Sequence, residues 1–144
     1  MKVGLKKLCE RAILPTYGTA YSAGADLYAC LEADVSIAPQ EMVLIHTGLA
    51  LEIPCGYVGL IYARSGLATK RGLAPANKGG VIDADYRGEV MVALYNQSTA
   101  VQTVAHGERI AQLVIAPFLA AEFEEVEELS DTVRGAGGFG STGK

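Results

Sequence analysis

Glu89-Val90-Met91-Val92-Ala93-Leu94-Tyr95 decides the fold class. Val90, Val92 and Leu94 fall on one face of an extended chain, and Met91, Ala93 and Tyr95 on the other. The run is too short for a helix and rich in β-branched residues, so it reads as a strand buried on both faces. Gly56 to Tyr62 has the same character. Shorter β-prone runs surround these two: Val3 and Leu5, Ala25–Ala29, Val35–Ala38, Met42–Thr47, Leu49–Ile53, Arg109–Ala116 closed by Pro117, and Ala121–Glu127 with acids on its exposed positions. Gly, Pro, Asp and Glu separate them. Only Ser65–Lys70 has the composition of a short helix. Short strands at this spacing predict an all-β barrel or sandwich. There are no internal repeats and no linker. The expected organisation is one β domain over residues 1–128 and a Gly-rich arm over 129–144.

Composition narrows the function. The chain has 144 residues, 50% of them hydrophobic, with no Trp and three Phe. That length supports one domain with a sizeable core, which must be aliphatic. No apolar run is long enough to span a membrane as a helix, and the first residues lack the shape of a signal peptide. Cys9, Cys30 and Cys55 are odd in number, far apart and without a CxxC pair, which argues against a disulfide framework or a zinc site and for a cytoplasmic setting. The net charge of −4 argues against a general nucleic-acid binder. A small anionic ligand still fits, because a few arginines can act locally.

Four internal segments concentrate polar chemistry. Gly80-Val81-Ile82-Asp83-Ala84-Asp85-Tyr86-Arg87-Gly88 places two acids and a tyrosine in a turn between apolar runs. It reads either as an ordinary hairpin or as a carboxylate held at a strand end to orient and deprotonate water. Ala63-Arg64-Ser65-Gly66 leads a strand into a helix start, where free N–H groups and a guanidinium suit a phosphate; the alternative is Ser65 as a plain N-cap. Gln112 and Asp26 each stand inside an apolar strand, as structural hydrogen-bonders or as ligand contacts. His46 and His106 read as surface or strand-edge residues, and the acids from Glu122 to Glu128 as a solvated face.

The fifth segment is the end of the chain, Arg134 to Gly143. It cannot bury enough apolar surface to fold alone. Yet Arg134 offers a fork of donors, Phe139 a flat face, Ser141 and Thr142 hydroxyls, and the glycines close backbone approach to an anion.

Together and in this order, the five segments closely resemble the motifs of the trimeric dUTP diphosphatases (dUTPases). Gly80–Gly88 and Arg134–Gly143 carry the most specific part of the resemblance, which runs from about Ala23 to Gly143. One departure is Ala63, where many relatives have Pro. The resemblance implies a distorted β-barrel or jelly-roll subunit of the β-clip type. It also implies a homotrimer with shared sites, each closed by an arm from a neighbouring subunit. The activity implied is Mg²⁺-assisted hydrolysis of dUTP to dUMP and pyrophosphate, which keeps uracil out of DNA and supplies dUMP for dTMP synthesis.

By the same resemblance, Asp83 is the general base that directs water at the α-phosphate. Arg64, Ser65, Gly66 and Gln112 hold the phosphate chain. Asp26 holds waters of the Mg²⁺ ion, an outer-sphere role that suits a cation reluctant to dehydrate. Asn77 and the main chain around Gly80, Val81 and Ile82 read the uracil edge, and Tyr86 packs on the deoxyribose. Phe139 stacks on uracil, while Arg134, Gly140, Ser141, Thr142 and Gly143 belong to the arm that grips the phosphates. Two alternatives stand beside this reading. One is a nucleotide-binding or regulatory module of the same fold without catalysis. The other is a dCTP deaminase, whose members carry a catalytic Glu where Ala93 stands here.

Overall fold

The computed structural model describes residues 1–138. Eleven strands and one helix are present among them. In chain order these are β1 (Gly4–Lys7), β2 (Thr16–Tyr17), β3 (Ala25–Tyr28), β4 (Val35–Ile37), β5 (Met42–Glu52), β6 (Tyr57–Tyr62), α1 (Ser65–Arg71), β7 (Leu73–Pro75), β8 (Gly80–Ile82), β9 (Glu89–Asn96), β10 (Gln102–Val104) and β11 (Arg109–Pro117). The all-β class with one short helix is as expected. The ladders fall into three antiparallel sheets, ordered β1-β5-β9-β7, β2-β3-β11-β6-β8 and β10-β4.

The core between the sheets is aliphatic, as the composition requires. Leu27, Ile37, Ile45, Leu49, Leu73, Val90, Val92, Leu94, Val104 and Ile110 are its largest fully buried apolar side chains. Asn96 is also fully buried, and all its polar atoms are used. Its amide nitrogen donates to the carbonyls of Ile37 and Ala100, and its oxygen accepts from the N–H and hydroxyl of Ser98. A buried side-chain amide left unpaired would cost stability, so this network is a condition of the fold.

Three strand expectations are corrected. Met42–Thr47 and Leu49–Ile53 join into the single strand β5, with a register shift between His46 and Ala50. Gly48, at φ 68°, supplies the left-handed step at that bulge. The strands expected to be buried on both faces are closed on one side only. In β9, Val90, Val92 and Leu94 are buried, whereas Met91, Ala93 and Tyr95 are half-buried; in β6, Tyr62 is exposed. Finally, Ala121–Glu127 forms no strand, and residues 118–138 run on from β11 without helix or strand. Alternation alone makes no strand; the ladder also needs a neighbour. Leu119, Phe123 and Leu129 accordingly stay exposed.

The α1 helix forms where expected. Leu67 is its buried residue, and Gly72, at φ 67°, terminates it by donating to the carbonyls of Ala68 and Leu67. Arg71 in its last turn anchors it, pairing with Glu108 and donating to Gln102 Oε1 at 3.1 Å. The end of the helix is thereby fixed against β10 and the loop that leads into β11.

Candidate active site

One row of side chains crosses the five-stranded sheet. Asp26 on β3 is opposite Gln112 on β11, and Gln112 is opposite Tyr62 on β6. Residues directly opposite in a ladder share a face, so Asp26, Gln112 and Tyr62 project from the same side. They line one open cleft of about 640 Å³ with Gly24, Arg64, Ser65, Gly66 and Arg109.

The electrostatics of this cleft rest on one acid between two bases. Arg64 Nε donates to Asp26 Oδ1 at 2.6 Å, and Arg64 Nη2 to Oδ2 at 3.4 Å. Arg109 Nη1 reaches Oδ2 at 3.3 Å. Two guanidiniums against one carboxylate leave a net charge of +1. The Asp26 side chain is only 13% exposed, so this pairing is less screened than a surface ion pair. The result is an orienting cradle with one positive charge to spare for an anion.

Sequence reasoning assigned Arg109 no role, and the reason it belongs here is a bulge. Gln112 pairs with Asp26 and Ala111 with Leu27, but Arg109 rather than Ile110 pairs with Tyr28. The extra residue lets Ile110 and Ala111 both enter the core and returns Arg109 to the face of Asp26. Two consecutive apolar residues after an arginine, inside an otherwise alternating strand, were the available signal.

Gln112 takes the structural role while lining the cleft. Its Nε2 donates to the Ala63 carbonyl at 2.8 Å, which ties β11 to the turn before α1. Its Oε1 lies against Gly24, where a Cβ would overlap it and would sit 3.0 Å from Cδ. Gly24→Ala is therefore expected to displace Gln112 and to cost about 1–3 kcal/mol of stability, as overpacking does. Activity should fall further than the melting temperature suggests. Paired thermal melts and rate measurements check this; an unshifted rate would show that the amide position is not critical.

Ser65 is not a helix cap. Arg64 occupies the N-cap position, and no side-chain cap hydrogen bond is made, so the Ser65 hydroxyl is left to the exposed helix start.

The remaining residues lie elsewhere. Asn77, Gly80, Val81 and Ile82 line a cleft of about 120 Å³ with Ile61, Met91 and Ala93. Asp83 and Tyr86 line a neighbouring cleft of about 220 Å³ with Leu44, Val81, Ile82 and Met91. The expected hairpin is not formed, because β8 pairs with β6 whereas β9 pairs with β5 and β7. The turn holding Asp83 thus crosses from one sheet to the other. Its β8 portion is an edge strand, with one row of backbone N–H and C=O groups free of any partner strand among the described residues. Tyr86 is held as a plate, since its hydroxyl donates to the Glu89 carbonyl at 3.0 Å and its ring lies over Gly88, where a Cβ would come within 2.9 Å of Cε2. Asp83 is exposed, and no donor among the described residues occupies its carboxylate.

Ile61 and Tyr62 are adjacent on β6 and point to opposite faces of the sheet. Tyr62 lines the arginine cleft and Ile61 the Asn77 cleft. No residue lines both the arginine cleft and the clefts of Asn77, Asp83 and Tyr86. Arg134 joins neither; its Nε donates to the Gly137 carbonyl at 2.8 Å. Phe139, Gly140, Ser141, Thr142 and Gly143 lie outside the described residues.

The described residues hold no cluster of three or more His, Cys, Asp or Glu able to bind a bare cation. The single carboxylate of Asp26 fits a hydrated ion that arrives with its own phosphate ligands.

Comparison with known proteins identifies the family. The dUTPase family model matches residues 10–143. The deoxyuridine 5'-triphosphate nucleotidohydrolase of Nautilia profundicola is 55% identical over the full length of both chains. The Staphylococcus bacteriophage 80alpha dUTPase, solved with dUPNHPP, superposes with a TM-score of 0.92 at 32% identity, covering 99% of each chain. A dUTPase mutant from Staphylococcus aureus phage phi11, described for its coordination of a structural Mg(II) ion, superposes with a TM-score of 0.82 at 29% identity, covering 91% of this chain and all of its own. With the motif order, the sheet topology and the family match all in agreement, the chain belongs to the dUTPase family.

Proposed function

We propose that the chain hydrolyses dUTP to dUMP and pyrophosphate at sites shared among three copies. The observation that supports the shared site is that the arginine cleft and the clefts of Asn77, Asp83 and Tyr86 have no lining residue in common. We infer that a single dUTP does not span both on one chain. It can do so when the arginine cleft of one copy meets the Asn77–Tyr86 region of the next.

Each half suits one part of the substrate. The free edge of β8 offers backbone donors and acceptors in fixed order, which accept uracil and refuse the reversed pattern of cytosine. Asn77 adds a side-chain amide, and the close backbone wall leaves no room for the methyl of thymine. Tyr86 packs on the deoxyribose and excludes a 2′-hydroxyl. On the other half, Arg64, the Ser65 hydroxyl, the Gly66 N–H and the free side of Gln112 hold the phosphates, and Arg109 keeps Asp26 oriented. Asp26 would hold Mg²⁺ through water. When bound, Mg²⁺ neutralises triphosphate charge.

Asp83 takes the proton of the attacking water. Positioning and charge stabilisation supply most of the remaining rate, as is general for phosphoryl transfer. Arg134, Phe139, Gly140, Ser141, Thr142 and Gly143 would complete the enclosure from a further copy. Ala93 lines the uracil-side cleft with no carboxylate, so this position offers no acid for deamination.

The test is pyrophosphate release from dUTP, dTTP, dCTP and UTP in parallel, with Mg²⁺ and with chelator. Release from dUTP alone, weakened by chelator, supports the proposal. Silence on dUTP favours the non-catalytic module, and ammonia release from dCTP the deaminase. In solution the particle should have about three times the chain mass of 15.1 kDa. Light scattering decides this, and a fully active monomer would eliminate the shared site.

A further inference from the structure

Beside the cleft of Asp83 and Tyr86, with Glu89 common to both, the β5 bulge draws two cysteines to one cleft. The Leu8 N–H donates to the Gly48 carbonyl at 2.8 Å, which places Cys9 just past the bulge. From the other direction, the Cys30 N–H donates to the His46 carbonyl at 2.8 Å. Both cysteines line one cleft of about 340 Å³ with Arg11, His46 and Glu89. Glu89 holds the bulge open by accepting from the Gly48 N–H at 2.8 Å and lying 2.9 Å from His46 Nδ1. The missing side chain of Gly48 makes room for a thiol: a Cβ there would be 3.0 Å from Cys30 Sγ. The two cysteines are free, and both line this cleft.

The members of the pair differ chemically. Hydrogen bonds from Cys30 and then from Arg11 hold the Cys9 thiol below its ordinary range. Burial, followed by the contact with Cys9, pushes the Cys30 thiol up. A more acidic thiol beside a less acidic one is the arrangement of an attacking and a resolving cysteine.

We propose that Cys9 and Cys30 form a thiol–disulfide site that takes a low-molecular-weight disulfide as its oxidant. The Cys9 thiolate attacks one sulfur of the small disulfide, forming a mixed disulfide and releasing one small thiolate. Cys30 loses its proton to solvent and attacks Cys9 Sγ, closing the internal disulfide and releasing the second small thiolate. The two released thiolates take up the two protons given up by the pair. The protein is oxidised by two electrons, and one small disulfide is reduced to two thiols. The closed bond ties the turn after β1 to the segment after β3, the strand that carries Asp26.

The test uses the full chain with Cys55→Ser, which removes the exposed third thiol, incubated with oxidised glutathione. Intact mass and non-reducing peptide mapping are read. The expected product is lighter by two hydrogens, has the Cys9 and Cys30 peptides joined, and is restored by reductant. Cys30→Ser should stall with one glutathione on Cys9, and Cys9→Ser should show neither adduct nor link. An intact pair that accumulates glutathione on Cys9 without closing overturns the proposal, as does a pair that does not react. Should Cys30→Ser fail to fold, Cys9→Ser decides the order of attack: glutathione appearing on Cys30 at the rate of the intact pair refutes it.

Discussion

Asp83→Asn is expected to bind dUTP as the parent chain does and to lose about 100-fold or more in turnover, the usual worth of a positioned general base. Asn has nearly the shape of Asp but cannot accept the proton of an attacking water. The local fold does not depend on the charge, because the tie that closes the turn runs through the backbone, from the Tyr86 N–H to the Asp83 carbonyl at 3.1 Å. The carboxylate itself is exposed and has no protein donor among the described residues. Substrate contacts made by Asn77, the β8 edge and the arginine cleft also survive. The loss should therefore fall on kcat and leave the dissociation constant of dUTP nearly unchanged. Single-turnover rates with calorimetric binding separate the two. Parent-like turnover would remove Asp83 from the chemistry, and equal losses in binding and rate would recast it as a substrate contact.

What could be read from the sequence follows the range of the forces involved. Strand periodicity is local, so β3, β4, β6, β9 and β11 sit within a few residues of their expected places. The same holds for α1, which a glycine at the left-handed cap position terminates. Pairing is non-local, and that is where expectation and structure part. Nothing in Gly80–Gly88 shows that β8 joins β6 while β9 joins another sheet, so the segment resembles a hairpin. Nothing in Ala121–Glu127 shows that a partner strand is missing. The site follows the same rule. Asp26, Arg64 and Gln112 stand out as polar residues among apolar ones, and the structure gathers them in one cleft. Arg109 joins them only through a bulge, and Cys9 meets Cys30 only through another. Both depend on register, which alternation in one strand does not determine.

Removal of residues 133–144 is expected to leave the fold intact and to lower activity about 1,000-fold, in the range seen when a charge-stabilising arginine is withdrawn from phosphoryl transfer. The fold should survive because 118–138 form no ladder with the sheets and, among the described residues, the Arg134 side chain hydrogen-bonds within its own turn, at Gly137. Melting temperature and particle mass should match the full chain. The activity should fall because Arg134 and the Gly-rich run with Phe139, Ser141 and Thr142 are the remaining proposed phosphate and base contacts, and no described cleft of the same chain receives Arg134. Undiminished turnover in the truncated chain would show that the arm is no part of the site. A sharper test follows from the separate half-sites. The truncated chain keeps Asp83 and lacks the arm; the Asp83→Asn chain keeps the arm and lacks the base. Each alone should be nearly inactive. Unfolded together and refolded as mixed particles, they should regain a substantial part of the parent rate, because an arm from one chain can close over the Asp83 of another. Failure to recover activity, with mixed particles shown to form, would mean that each site is closed by the arm of the chain that supplies its Asp83.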